Sequence, residues 1–179
     1  MKKNLNDKYV IVPSAGIGTR FESNVPKQYI KIQGISILER TIKHFLELEI
    51  FKKIIVPIHP EDNFFEKLSI SKHKKILKVK GGKTRSESVM SALNCIEKNS
   101  IILVHDVVRP FIDKKEIISL IENFNPSDED ILVYGIPVYE ALKKINQEDL
   151  FVKKSVDRNK FYLAQTPQIT TSHILENSL

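Results

Sequence analysis

The sequence predicts an α/β protein: a mainly parallel sheet with helices on both faces. Three observations carry that prediction. Short apolar runs alternate with amphipathic stretches over most of the chain, the rhythm of successive β-α-β units. The amphipathic stretches open on helix-start patterns, Ser36-x-x-Glu39, Thr84-x-x-Glu87 and Asp113-x-x-Glu116. Small or charged residues follow several apolar runs directly, as a chain turning beside a ligand requires.

Taken in order, Tyr9-Val10-Ile11-Val12 is a short buried strand. It runs into Pro13-Ser14-Ala15-Gly16-Ile17-Gly18-Thr19-Arg20, a glycine loop whose amides can approach a ligand without a Cβ in the way. Ile30 and Ile32 continue an extended segment to Gly34. A helix follows from Ser36 with Ile35, Leu38, Ile42, Phe45 and Leu46 on its apolar face. Lys53 to Ile58 is the second long strand, a short helix spans about Glu61 to Leu68, and a third strand lies near Ile76 to Val79. Gly81-Gly82 ends that strand. The Thr84 helix buries Val89, Ala92, Leu93 and Ile96, with Cys95 on the same apolar face and expected in the core. Ile101 to Val104 leads into His105-Asp106. The Asp113 helix turns Ile117, Leu120, Ile121 and Phe124 inward, and Ile131 to Tyr134 makes a fifth strand.

From Pro137 the rhythm changes. Pro137-Val138-Tyr139 and Phe151-Val152 read as extended segments joined by the polar turn Asn146 to Asp149. Such a pair is marginal in water alone. Patterning leaves two alternatives, a hairpin lying on its own domain or an arm packing on a second subunit. Gln165-Thr166-Pro167-Gln168 then precedes a last short helix.

The chain of 179 residues suits one domain, 1–179, with 137–158 protruding as the arm. Hydrophobic content of 41% with 28% charged residues excludes a disordered chain. The single Cys95 excludes an internal disulfide and fits a reducing compartment. No apolar run reaches the ~20 residues of a membrane helix, and the polar stretch after Lys3 excludes a signal peptide, so a cytoplasmic protein is expected. The net charge of +6 raises a nucleic-acid reading. The lysines, however, are dispersed in the manner of a solvated surface, and no nucleic-acid partner is expected. The 5 arginines are more selective: Arg20, Arg85, Arg109 and Arg158 fall inside motifs, and only Arg40 reads as a plain helix-surface residue.

Three candidate loops, the glycine loop, Gly81-Gly82 and His105-Asp106, follow predicted strands and should share one rim of a Rossmann-like sheet, where ligands collect at a topological switch point. Neither a dinucleotide fingerprint nor a P-loop is present: Phe21 stands where the former needs a third glycine, and Gly16 is not followed by Gly-Lys-Ser/Thr at the latter's spacing. Backbone amides with Arg20 and Lys27 beside them suit a polyphosphate. Asp106 ends an apolar strand, where a carboxylate needs a cation. Either Mg²⁺, an adjacent turn or Arg109 can supply that partner. His105 is read as structural. Ser88 lies within reach of a base or sugar at the rim or else faces solvent.

Six blocks then occur in the order of one family. They are Ala15-Gly16-Ile17-Gly18-Thr19-Arg20, Pro26-Lys27-Gln28-Tyr29, Gly81-Gly82 with Arg85 to Val89, His105-Asp106-Val107-Val108-Arg109-Pro110, Val156-Asp157-Arg158, and Gln165-Thr166-Pro167-Gln168. From about Tyr9 to Leu179 the chain resembles the 2-C-methyl-D-erythritol 4-phosphate cytidylyltransferases of non-mevalonate isoprenoid synthesis. The resemblance implies transfer of CMP from CTP to the phosphate of methylerythritol phosphate. It further implies Arg20, Lys27 and Arg158 as catalytic residues, and Asp106 as the ligand of Mg²⁺. Ser14, Ala15, Gly16, Gly18, Thr19, Gly82 and Ser88 would bind CTP; Arg109, Thr166 and position 141 would meet the acceptor. It also implies a homodimer through the arm, with Arg158 reaching the partner's site.

Two departures accompany the likeness. Glu140-Ala141 replaces the family's Asp-Thr, so Ala141 lacks a hydroxyl. The family also continues past the position of Leu179, through a segment whose lysine serves the acceptor phosphate, and that segment is absent here. The nearest rival family is ribitol-5-phosphate cytidylyltransferase, which shares the glycine loop, the His-Asp block and Thr-Pro-Gln. Val156-Asp157-Arg158 and the Pro137-Val138 start of the arm favour the methylerythritol enzyme. A rival of another class is a non-catalytic nucleotide- or RNA-binding module.

Overall fold

The computed structural model describes residues 7–16, 25–127 and 130–179. The chain opens on β1 (Lys8–Ile11), followed by the two-residue strands β2 (Lys31–Ile32) and β3 (Ile35–Ser36), helix α1 (Ile37–Leu46), β4 (Lys53–Ile58) and β5 (Ile76–Lys80). Next come α2 (Arg85–Leu93), β6 (Ile101–Val104), α3 (Lys114–Asn123) and β7 (Ile131–Pro137). The ribbon β8 (Leu142–Ile145) and β9 (Val152–Val156), the long β10 (Tyr162–Thr171) and α4 (Ser172–Ser178) complete it.

Six strands form the main sheet in the order β5-β4-β1-β6-β10-β7. β1, β4, β5 and β6 run parallel, whereas β10 is antiparallel to both its neighbours. The chain moves outward from β1 through β4 to β5, then returns to set β6 on the other side of β1. That reversal opens a crevice beyond the carboxyl ends of β1 and β6. The inner strands are apolar on both faces because both are covered. Val10, Ile54 and Leu103 pack with α1 and α3 residues such as Phe45 and Ile117. Their strand neighbours Ile11, Ile55 and Ile102 pack with Val89 and Ala92 of α2 on the opposite face. Full burial of each such side chain contributes about 1.5–3 kcal/mol, so the site's rim stands on a rigid base.

Local chemistry sets the element ends. Gln33 (φ 52°) and Gly34 (φ 79°) form a two-residue left-handed turn between β2 and β3, the geometry a tight hairpin needs. Arg40 donates to the Ile32 carbonyl at 2.7 Å and so ties α1 to this hairpin; it is no plain surface residue. Ser36 caps α1 reciprocally with Glu39. Glu39 Oε1 also accepts from the Ser69 amide and hydroxyl, both at 2.9 Å. Burial pushes the Glu39 carboxyl up, but the hydrogen bonds from Ser69 and Ser36 outweigh it and hold the group below the usual glutamate range. At α2 the Thr84 hydroxyl accepts from the Glu87 amide at 3.1 Å, while the Glu87 carboxylate takes the Lys83 amide at 2.6 Å.

The strands, helices and mainly parallel order match the sequence expectation, with four differences. The expected helix from Glu61 to Leu68 is only a 3₁₀ turn at Phe65–Lys67. Asp62 Oδ1 accepts from the amides of Phe64 and Phe65, an Asx turn that competes with a longer helix. Cys95 is exposed rather than in the core, since α2 ends at Leu93 and the chain leaves the helical face before reaching it. The segment around Gln165-Thr166-Pro167 belongs to a ten-residue strand that reaches into the sheet's interior. A register shift between Ala164 and Gln168 accommodates the proline, which disguised the strand in the sequence. The arm strands are Leu142–Ile145 and Val152–Val156, which pair with each other; the second starts in the expected Phe151-Val152 segment, whereas Pro137 ends β7 and Val138-Tyr139 lie in no strand. Around this ribbon Tyr139, Leu150, Phe151 and Tyr162 are all exposed. No helix among the described residues is long and apolar enough to cross a membrane.

Candidate active site

The loops after β1, β5 and β6 converge on one rim. There they line an open cavity of about 230 Å³ with Ser14, Gly16, Lys27, Gly82, Ser88 and Asp106 on its walls. Gly18, Thr19 and Arg20 lie outside the described residues.

Each wall has its own local cause. The Ser14 amide donates to the Pro57 carbonyl at 2.9 Å, which prolongs the β1–β4 pairing one step past the strand. Among the described residues no group accepts from the amides of Ala15 or Gly16. Two adjacent donors at a strand end suit an anion. No described atom lies within 4 Å of where a Cβ on Gly16 would stand, so a bulky ligand can approach the backbone there. Gly81 is tighter. An added Cβ would fall 2.3 Å from the Ala15 Cβ, so glycine at 81 is what lets the β5 loop pack against the β1 loop. The Gly82 amide donates to Ser88 Oγ at 3.1 Å, and that hydroxyl donates to the Thr84 carbonyl at 2.9 Å. Ser88 is therefore buried and orders the Gly82 turn; it does not face solvent.

Lys27 begins a 3₁₀ turn, Lys27–Tyr29, in which it is exposed while Gln28 and Tyr29 are buried. Tyr29 stacks on Phe64 with ring centroids 5.1 Å apart and anchors the turn.

Val108 borders a second cavity of about 640 Å³, lined by His105, Arg109, Phe111, Tyr134, Ile136 and Thr166 among others. Arg85 reaches Asp106 Oδ1 at 3.2 Å from the first cavity, and Arg109 reaches Oδ2 at 3.4 Å from the second. Both pairs are substantially exposed and worth about 0–1 kcal/mol each. A competing cation can displace them at little cost. The Asp106 amide donates to Thr166 Oγ1 at 3.3 Å, and Arg109 donates to the Gln165 side chain. These bonds join β10 to the β6 loop.

His105 is wholly buried, edge-on to Phe45 at 5.3 Å between ring centroids. Its Nε2–H donates to the Arg109 carbonyl at 3.0 Å, and Nδ1 has no partner among the described residues. Burial depresses its pKa to about 4, so it is a neutral brace of the 105–109 turn. Thr41 adds a bond to the Val107 carbonyl at 2.7 Å, and His44 one to Pro110 at 3.0 Å.

No group of three metal-ligating side chains occurs among the described residues. One carboxylate on a phosphate-sized cavity fits an Mg²⁺ that completes its shell with substrate oxygens and water; it does not fit a protein-caged metal. Arg158 and Ala141 lie on the arm and line neither cavity of their own chain; Arg158 Nη1 donates to the Tyr139 carbonyl. Sequence reasoning assigned no role to Gln28, Arg85 or Gln165. All three sit inside quoted motifs, but their contacts cross between loops and leave no periodic signal.

Comparison with known proteins agrees with this architecture. The family model IspD, 2-C-methyl-D-erythritol 4-phosphate cytidylyltransferase, matches residues 9–179. A relative of that name from Wigglesworthia glossinidia brevipalpis is 43% identical over 170 residues, covering 95% of this chain and 73% of the relative. One from Vibrio vulnificus (strain CMCP6) is 34% identical and covers 100% of this chain and 76% of its own length. Among solved structures, the Francisella tularensis 2-C-methyl-D-erythritol 4-phosphate cytidylyltransferase superposes with a TM-score of 0.75 at 34% identity, covering 93% of this chain and 73% of that one. Sheet order, rim geometry and sequence likeness over nearly the whole length agree: the chain belongs to the 2-C-methyl-D-erythritol 4-phosphate cytidylyltransferase (IspD) family.

Proposed function

We infer that the protein transfers CMP from CTP to the phosphate of 2-C-methyl-D-erythritol 4-phosphate, forming 4-diphosphocytidyl-2-C-methyl-D-erythritol and pyrophosphate. The observation that carries this reading is the pair of adjoining cavities meeting at Val108, one lined by the glycine loop with Lys27 and Asp106 and the other holding Arg109 and Thr166.

An oxygen of the acceptor phosphate attacks the α-phosphorus of CTP. One P–O bond forms there, and the bond to the β-phosphate oxygen breaks to release pyrophosphate. The work of such a site is positioning and charge stabilisation. The Ala15 and Gly16 amides would receive phosphate oxygens, and Lys27, with Arg20, would meet the charge that grows on them. Gly82 and Ser88 shape the nucleotide's side of the cavity, while Arg109 and Thr166 hold the acceptor. Asp106 would hold Mg²⁺, which when bound neutralises the triphosphate and the departing pyrophosphate.

The exposed apolar residues of the arm support a homodimer formed through residues 137–158, with Arg158 serving the partner's acceptor cavity. A cytoplasmic setting fits CTP as substrate. Pyrophosphate release measured with CTP and each of two acceptors tests the assignment. Turnover is expected with methylerythritol phosphate; turnover restricted to ribitol 5-phosphate overturns it.

A further inference from the structure

We propose that Gln28 is a positioning residue for the nucleotide site: its side-chain amide clamps the glycine loop to the turn that carries Lys27. The proposal deepens the cytidylyltransferase reading and rests on it.

Gln28 is only 2% exposed, and its Nε2 donates to two carbonyls of the neighbouring loop, Ser14 O at 2.9 Å and Gly16 O at 3.1 Å. One amide group therefore uses both of its N–H donors on alternate peptides of a segment fourteen and twelve residues away. A buried glutamine that merely filled space would need only to be satisfied somewhere; this one links the wall that offers the open Ala15 and Gly16 amides to the turn that carries Lys27.

The consequence follows from peptide geometry. In a trans peptide the N–H points opposite to the carbonyl of the same plane. The only cis bond among the described residues is Thr166–Pro167, so the Ser14–Ala15 peptide is trans. With the Ser14 carbonyl drawn to Gln28, the Ala15 N–H is turned the other way, and no described group accepts from it. The Ser14 N–H is already fixed on the Pro57 carbonyl. The Ser14–Ala15 plane is thus held by its carbonyl and the plane before it by the Ser14 N–H, and the Ala15 N–H is the donor available to a phosphate oxygen. On the other side of the clamp, Gln28 adjoins Lys27, whose exposed side chain lines the same cavity. Gln28 fixes the spacing between an ammonium and an amide donor, the quantity an oxygen-rich ligand must match.

The test uses the full chain with Gln28→Met, which keeps length and apolar packing and removes both donors, and Gln28→Glu, which keeps shape and removes both donors. CTP binding by calorimetry, KM for each substrate and Tm are measured for both, and the double variants with Lys27→Ala are added. The expected result is a rise of about tenfold or more in Kd and KM for CTP, the scale of two lost buried hydrogen bonds. KM for the acceptor should stay close to wild type, while the melting temperature should fall, because the Ser14 and Gly16 carbonyls lose their buried partner in either variant. The Gln28 and Lys27 effects on CTP binding should be less than additive, because both act through one spacing. Unchanged CTP affinity in folded variants, equal rises in both KM values, strict additivity, or failure of both single variants to fold each overturns the proposal. Absence of CTP binding by the wild-type protein overturns the functional reading instead.

Discussion

The two cavities meet at Val108 but are built from different material. The smaller is lined by loops at the ends of parallel strands, where Gly16, Gly82 and the open Ala15 and Gly16 amides stand beside the charged Lys27, Lys83, Arg85 and Asp106. The larger is walled by side chains, including Phe111, Tyr134 and Ile136, brought together from the β6 loop, β7 and β10. Backbone recognition suits a group common to every nucleotide, a string of phosphates. Side-chain recognition suits the part that differs between acceptors. On the proposed reading, the contrast would put phosphate chemistry at the rim of the parallel strands and acceptor choice at the β6 loop, β7 and β10.

The largest expected effect strikes the first cavity. Lys27→Ala should lower kcat/KM by roughly 10²–10³-fold, the usual cost of one preorganised charge-stabilising group, while Tm holds because the side chain is exposed. Steady-state kinetics beside a thermal melt checks both halves. Arg109→Ala should act on the second cavity and raise the acceptor KM by about tenfold or more, on the scale of a charge-assisted hydrogen bond. An equal loss of CTP affinity would erase the division between the cavities. Gly81→Ala tests the packing beneath the rim: a Cβ 2.3 Å from that of Ala15 should destabilise the fold. The expected cost is about 1–3 kcal/mol in a urea titration, with weaker CTP binding at concentrations where the protein remains folded.

The smallest effect lies in the supporting layer. The Glu39 pKa is lower in the folded chain than its ordinary 4.5, so in acid the unfolded chain takes up protons first. Its contribution is complete above the ordinary value and disappears as pH falls through the folded one. Glu39→Gln should flatten that part of the acid unfolding curve, and an unaltered slope would show that Ser36 and Ser69 do not hold the charge.

The first cavity was far more legible in the sequence than the second. Pro13 to Gly16, Gly82 and Asp106 announce themselves because each follows an apolar run that reads as a strand, and the parallel order brings those ends together; Lys27 was legible only as a cation in a motif beside the glycine loop. Thr166 was visible as a motif, but its placement was not: Pro167 disguised β10 by removing a ladder donor. Its hydroxyl reaches the Asp106 amide only because an antiparallel strand returns beside β6. Gln28 was hidden for a different reason. A buried polar side chain in a three-residue turn has no periodicity, and its bonds cross to a loop that sequence distance does not connect.

β10 starts beside the exposed ribbon and ends within the main sheet between β6 and β7, so one stretch of backbone belongs to both worlds. A pull on Tyr162 travels four residues to the hydroxyl under Asp106. Anything that grips the ribbon therefore has its hand on the wall between the two cavities.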